Sequence, residues 1–314
     1  MKGVEIVADQ AYFRGSTAEL QRALTGGALD RCGSLVVEGK LNALPPEIGR
    51  LKRLRELILD TDTLQTIDAG LFGCVELVKL VVLSNQIKQL PAGGWARLVS
   101  LEQLEISTSN ALRELPEDIG EAPLLGGDFD LTQQTKLGPL PASFARLSRI
   151  TLLRLPAGLP APASIAGMTG LRELQLREVS QLPEDLGALK DLRLLDAYGC
   201  PITALPESIG GASLLRALAL ARTKLTTLPD SLTTLRALRD LDLAQTPLTS
   251  LPEAIGEVPL TRLRLQNTLL KRLPESLATP AGDLRIYLPR EQRDVIEFNS
   301  AAVLRALGSR ALFE

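Results

Sequence analysis

Nine of the ten arginines between residues 154 and 264 of this 314-residue chain recur at candidate outward positions: Arg154, Arg172, Arg177, Arg193, Arg216, Arg222, Arg239, Arg262 and Arg264. Four of them, Arg172, Arg193, Arg216 and Arg239, are spaced by 21, 23 and 23 residues. A guanidinium presents a rigid fork of donors to carboxylates and other anions, so evenly spaced arginines suit recognition of an acidic surface. Upstream, similar spacing brings acids instead, with Glu102, Glu105, Asp128 and Asp130 as the candidates. Tyr198 lies among the arginines and suits an interface anchor, because tyrosine offers a large rigid contact with a polar tip.

Bond-breaking chemistry finds little to work with. The chain has no histidine, which removes Ser–His–Asp and Cys–His mechanisms, histidine bases and H-E-x-x-H zinc sites. Cys32, Cys74 and Cys200 are far apart and form no C-x-x-C pair, so neither a disulfide framework nor a zinc site is indicated and a reducing compartment fits best. No catalytic residue, cofactor site or metal ligand is expected. A formal charge of −2 and a pI near 5.6 lack the basic footprint of nucleic-acid binding. No apolar run reaches the roughly 18 residues of a membrane span. The start, MKGVEIVADQ, lacks the apolar stretch of a signal peptide. The expectation is a monomeric, cytoplasmic chain that is not an enzyme.

The elements that carry these side chains come from an internal repeat. A leucine–proline step followed by an apolar knob recurs as LPPEIG (44–49), LPEDIG (115–120), LPASFA (140–145), LPEDLG (182–187), LPESIG (205–210), LPDSLT (228–233), LPEAIG (251–256) and LPESLA (273–278). Weaker copies are IDAGLF (67–72), LPAGGW (90–95) and APASIA (161–166). Successive copies are 23, 23, 25, 25, 21, 21, 23, 23, 23 and 22 residues apart. Between them runs L-x-x-L-x-L-x-x-(T/N/C)-x-L, as in LRDLDLAQTPL (238–248), LVKLVVLSNQI (77–87) and LRLLDAYGCPI (192–202). Alternating leucines predict a strand with one buried face. The ninth position, Asp62, Asn85, Cys200, Thr223, Thr246 and Thr268, is expected inside, pairing with the backbone of the neighbouring turn.

One such unit exposes its leucines and cannot fold alone; stacking buries them. The predicted fold is an α/β solenoid, a horseshoe of about eleven repeats with a concave parallel sheet on the order of 50 Å long at about 4.8 Å per strand. Residues 31–278 form the repeats. Residues 1–30 form an N-terminal cap, where STAE (16–19) makes a capping box before a short helix. Residues 279–314 form a C-terminal cap. There LRIYL (284–288) reads as a last irregular strand, and Pro289 opens a helical stretch whose Val295, Ile296, Phe298, Val303, Leu304 and Leu307 cover the final repeat. Trp95, at a knob position, and Cys200, on the ninth-position ladder, are assigned to the core.

Outward strand positions read differently in the two halves. Arg55, Lys79, Glu56, Asp60, Glu102, Glu105, Asp128 and Asp130 give the early repeats a net −4. The nine arginines against Glu173, Glu178, Asp196, Asp240 and Asp242 give the later ones a net +4. A face split by sign would orient a partner with the complementary split; charge on a solvated face also serves solubility alone. The irregular spacings, centred on STSNALRE, LTQQTKLGP, PAGLPAP and REVSQ between about 91 and 183, mark either a binding region or drift that the stack tolerates.

The P-x-(S/D)-I-G-x-L repeat of about 23 residues resembles the leucine-rich repeats of plant intracellular Ras-group proteins and of bacterial type III effectors of plant pathogens. The closing SLATPAGDLRIYLPREQ is similar to the end of effector repeat domains. That resemblance implies a protein-interaction module, binding a host protein through its concave face after type III secretion into the host cell, with a role in virulence. Several such effectors carry a ubiquitin-ligase domain after the repeats, whereas here about 25 residues follow the last strand. Two other roles stay open: the substrate-recognition part of such a ligase, and an endogenous scaffold for a small GTPase or kinase pathway.

Overall fold

The computed structural model describes residues 3–107 and 111–314, and the chain divides into two compact units, Met1–Leu152 and Leu153–Glu314. Part of the STSNALRE insertion, residues 108–110, lies outside the described residues. Each unit is a stack of parallel strands joined by 3-10 turns, the solenoid that the repeat predicts.

In the first unit the strands Gln10–Arg14, Ser34–Glu38, Glu56–Asp60, Lys79–Leu83 and Gln103–Ser107 pair in parallel. Their register aligns Ala11, Leu35, Leu57, Leu80 and Leu104 in one row. Phe13, Val37, Leu59, Val82 and Ile106 form a second. Both rows are buried, and each leucine, isoleucine, valine or phenylalanine in them stabilises the stack by about 1.5–3 kcal/mol. The residues read as an N-terminal cap do contain a helix, α1 (Thr17–Thr25), whose capping box forms: the Glu19 carboxylate accepts the Ser16 N–H at 2.9 Å and the Ser16 side chain accepts the Glu19 N–H. They also contribute two strands. Val4–Val7 pairs antiparallel with Gln10–Arg14 across a two-residue turn, with Ala8 in the left-handed region at φ +58°.

In the second unit Glu173–Gln175, Leu194–Asp196, Ala217–Ala219, Asp240–Asp242, Arg262–Arg264 and Arg285–Leu288 pair in parallel. Leu174, Leu195, Leu218, Leu241, Leu263 and Ile286 form the inward row, all buried. The knobs Ile209, Leu232 and Ile255 are fully buried on the return side. Proline initiates the 3-10 turns of Ile209 and Leu232, Glu207–Gly211 after Pro206 and Asp230–Thr234 after Pro229, because its fixed φ suits a helical first turn.

The ninth-position ladder divides between the units. Thr223, Thr246 and Thr268 are buried, but their hydroxyls donate to the carbonyls of Leu220, Leu243 and Leu265 in their own turn, at 2.7–2.8 Å, instead of reaching a neighbour. Asp62 and Asn85 are exposed, contrary to expectation, and the buried groups there are Thr61 and Ser84 one residue earlier. Ser84 donates to the Leu64 carbonyl of the preceding repeat at 2.8 Å. The cause is backbone geometry. In the first unit the strand runs five residues and keeps alternating, so the eighth position points inward. In the second unit it runs three residues and is followed by a left-handed eighth residue: Glu178, Gly199, Arg222, Gln245 and Asn267 have φ between +55° and +71°. That turn aims the ninth side chain inward instead.

The C-terminal segment also departs from expectation. The helix breaks into α2 (Arg293–Asn299) and α3 (Ala301–Leu307) at Ser300, whose Oγ accepts the Leu273 N–H at 2.7 Å. Ile296, Val303 and Leu307 are buried and Leu304 half-buried. Val295 and Phe298 are exposed, Phe298 by 86%, because they lie roughly 100° and 200° around the helix from Ile296. A strand missed in the sequence, Ala311–Phe313, then pairs in parallel with Arg285–Leu288.

Candidate functional site

The open face of each sheet, opposite the leucine rows, holds every sequence-nominated residue. In the second unit, backbone hydrogen bonds of 2.7–2.9 Å link Arg172 to Arg193, Arg193 to Arg216 and Arg216 to Arg239. The four therefore form one column across adjacent strands. All four are exposed. Arg239 donates one guanidinium nitrogen to the carbonyls of Arg236 and Leu238. Among the described residues no carboxylate pairs with any of the four. Asp240, the acid beside Arg239, is bound by Arg262 and Arg264, and Asp242 by Arg264.

The remaining arginines are placed differently. Arg177 pairs with Asp196 at 2.7 Å and is largely neutralised. Arg154 donates to the Gln175 amide oxygen at 3.1 Å. Arg222 donates to Gln245 at 2.6 Å, and its guanidinium carbon lies 5.4 Å from the ring centre of Tyr198, which is 42% exposed. The left-handed backbone at Arg222 aims the side chain back over the ring of the preceding repeat. Two further aromatics stand at outward strand positions. Tyr287 occupies the column of Asp242 and Arg264, and Tyr12 that of Val36, Ile58, Val81 and Glu105. Strict alternation in LRIYL and in QAYFR carries the signal for both.

In the first unit Glu102, Glu105, Asp128 and Asp130 are all exposed. Glu105 accepts the Ser107 hydroxyl, Asp128 that of Thr151 and Asp130 that of Thr132. Gly127, with nothing within 4 Å of where its Cβ would lie, puts no side chain beside Glu105, Asp128 and Asp130, which line a hollow of about 770 Å³ with Lys79 and Gln103. Next to it, Val36, Ile58 and Val81 form an apolar outward row flanked by the ion pair of Lys79 with Glu56 at 3.5 Å. That row was legible in the sequence as the fifth strand position.

The cysteines offer no nucleophile. Burial pushes the thiol of Cys32 up to about 11 and that of Cys74 to about 12, and raises Cys200 as well. Trp95 is buried in the core, edge-on to Phe72, with its indole N–H on the Pro91 carbonyl at 2.8 Å. Among the described residues no cluster of acids or cysteines is placed to hold a metal ion, and no helix is long and apolar enough to cross a membrane.

The irregular repeats are fastened by carboxylates. Asp118 accepts the backbone N–H groups of Gly93, Gly94 and Trp95 at 3.1, 2.7 and 3.2 Å. Asp185 accepts those of Ile165 and Ala166 and the Ser164 hydroxyl. Three other copies use serine at this position, each following a turn of the full L-P-x-x-(I/L)-G form: Ser143, Ser208 and Ser276 accept the N–H of Gly120, Gly187 and Gly256. Where the preceding turn is irregular, several amides are left to one acceptor, and a carboxylate replaces the hydroxyl.

No family model matches the chain. The disease resistance protein RFL1 of Arabidopsis thaliana is 28% identical over 154 residues, which are 48% of this chain and 17% of that protein. The chain thus matches about a sixth of that relative's length. Among solved structures, a leucine-rich-repeat protein of Leptospira interrogans superposes with a TM-score of 0.61 at 26% identity, over 93% of this chain and 80% of that one. The leucine-rich repeat domain of APL1B superposes with a TM-score of 0.56 at 16% identity, over 93% and 84%.

Proposed function

We propose that this leucine-rich-repeat chain is a non-catalytic module that holds another protein on the open face of its sheets. The observation that carries the reading is the division of labour within each strand: leucines fill the inward rows, while the outward positions differ from repeat to repeat and carry charges of both signs, with acids in excess in the first unit and arginines in excess in the second. The acidic face of the first unit suits a basic patch and the arginine-rich face of the second an acidic one, with Tyr198 as anchor. Such a partner carries both signs.

The likeness of the repeats to those of type III effectors, together with the superposition on a bacterial protein, supports an effector that acts on a host protein in the host cytoplasm. Affinity capture from a plant lysate and from a bacterial lysate, each read by mass spectrometry, tests this. The effector reading expects a specific protein from the plant lysate only. A specific protein from the bacterial lysate alone would favour an endogenous scaffold and overturn it.

A further inference from the structure

We infer that the column Arg172, Arg193, Arg216 and Arg239 is the docking track for an acidic segment of the partner, laid across the strands at the edge of the second unit's open face. The inference rests on the open-face reading above and names the chemistry that this part of the face takes.

Three observations carry it. First, among the described residues no ion pair reaches the column: Asp196, Asp240 and Asp242 are each taken by Arg177, Arg262 or Arg264 in other columns, and Glu173, next to Arg172 in its strand, forms no ion pair with it. Like charges on directly adjacent strands repel. An uncompensated column is therefore a standing cost, relieved when a partner supplies the anions. Second, the register is regular. Neighbouring parallel strands lie about 4.8 Å apart, so four consecutive arginines span roughly 14 Å. Carboxylates two residues apart on an extended chain lie about 6.6–6.8 Å apart, and those one helical turn apart about 5.4 Å. Either spacing keeps an acid within reach of each flexible arginine. Third, the next positions along these strands are small or apolar where the column is central, Leu194 after Arg193 and Ala217 after Arg216. A partner chain can approach the guanidinium groups there without displacing another charge.

An acidic protein segment fits better than a nucleic acid. A net charge of −2 lacks the basic footprint that a polyanion extending beyond the column needs. A protein segment can confine its acids to the track.

Fluorescence polarisation with a labelled deca-glutamate peptide tests the inference, with deca-glutamine and a ten-residue oligothymidylate as comparison probes. Wild-type protein should bind deca-glutamate, bind deca-glutamine at least tenfold more weakly, and lose affinity severalfold between 50 and 200 mM salt. Arg193→Glu with Arg216→Glu should lower deca-glutamate affinity at least tenfold, with a melting temperature unchanged or raised, since the reversal also relieves repulsion within the column. Equal binding by that variant, no binding by wild type, or tighter binding of oligothymidylate would each overturn the inference. The open-face reading is tested separately. A captured partner that survives the double reversal but is lost with Tyr198→Ala leaves that reading standing without the acidic track. A partner retained by both variants overturns the reading itself.

Discussion

The guanidinium of Arg222 stands over the ring of Tyr198, 5.4 Å from its centre, because Arg222 adopts a left-handed backbone at φ +60°. A non-glycine residue there costs on the order of 1–2 kcal/mol relative to right-handed backbone, and Gly199 fills the equivalent position one repeat earlier. Arg222→Gly should therefore leave stability unchanged or raise it by up to about 1 kcal/mol, while weakening partner binding by removing the cation beside Tyr198. Thermal denaturation and a binding titration on the same sample check both halves. A clear loss of stability would show that the arginine is structural.

The two carboxylate staples predict a pH response. Burial raises the Asp118 carboxyl, but the amides of Gly93, Trp95 and Gly94 outweigh it and hold it below its ordinary 3.8. Asp185 is likewise raised by burial and more strongly lowered by the Ser164 hydroxyl and the amides of Ile165 and Ala166. With folded values below the unfolded one, their contribution is complete above about pH 4 and is lost as pH falls through the folded values. Asp118→Ala or Asp185→Ala should cost about 0.5–2 kcal/mol at pH 7, the range for losing a capping side chain. The difference from wild type should shrink toward pH 2. Denaturant midpoints measured from pH 7 to pH 2 check this, and a constant difference would contradict it.

Thr246→Val keeps the volume but removes the hydroxyl that donates to the Leu243 carbonyl at 2.7 Å. The expected loss is about 1–2 kcal/mol. Thr66→Val, at an exposed position, is the neutral comparison. Equal midpoints for the two variants would mean that another donor satisfies Leu243.

Leu218 and Leu241 face each other in register and are buried to 1% and 0% exposure. Leu218→Ala and Leu241→Ala should each cost roughly 2–5 kcal/mol by opening a cavity. Adjacent repeats share one interface, so the double variant should not be additive. Chemical denaturation of the three variants measures the coupling directly.

The inward rows, the knobs and the outward orientation of the arginines were legible because a period-two strand inside a 23-residue repeat leaves each side chain one place to go. What escaped depends on single backbone angles. Whether Asp62 or Thr61 points inward turns on strand length, and nothing in the side-chain pattern announces the left-handed eighth residue when it is Glu178, Arg222 or Gln245. The N-terminal hairpin turns at Ala8 and Asp9, without the Asn-Gly or Asp-Gly pair that usually marks such a turn. The closing strand Ala311–Phe313 is three residues long, too short for alternation to show.

The central claim is that the open face, not the return side, holds the partner. Surface plasmon resonance of the captured partner against two variants tests it. One combines Arg193→Glu, Arg216→Glu and Tyr198→Ala on the open face. The other combines Glu184→Arg and Glu207→Arg, both exposed within the LPEDLG and LPESIG turns of the return side. The account predicts at least a hundredfold loss of affinity for the first variant and an unchanged value for the second, with both melting near the wild-type temperature. Full affinity in the open-face variant together with lost binding in the return-side variant would contradict it.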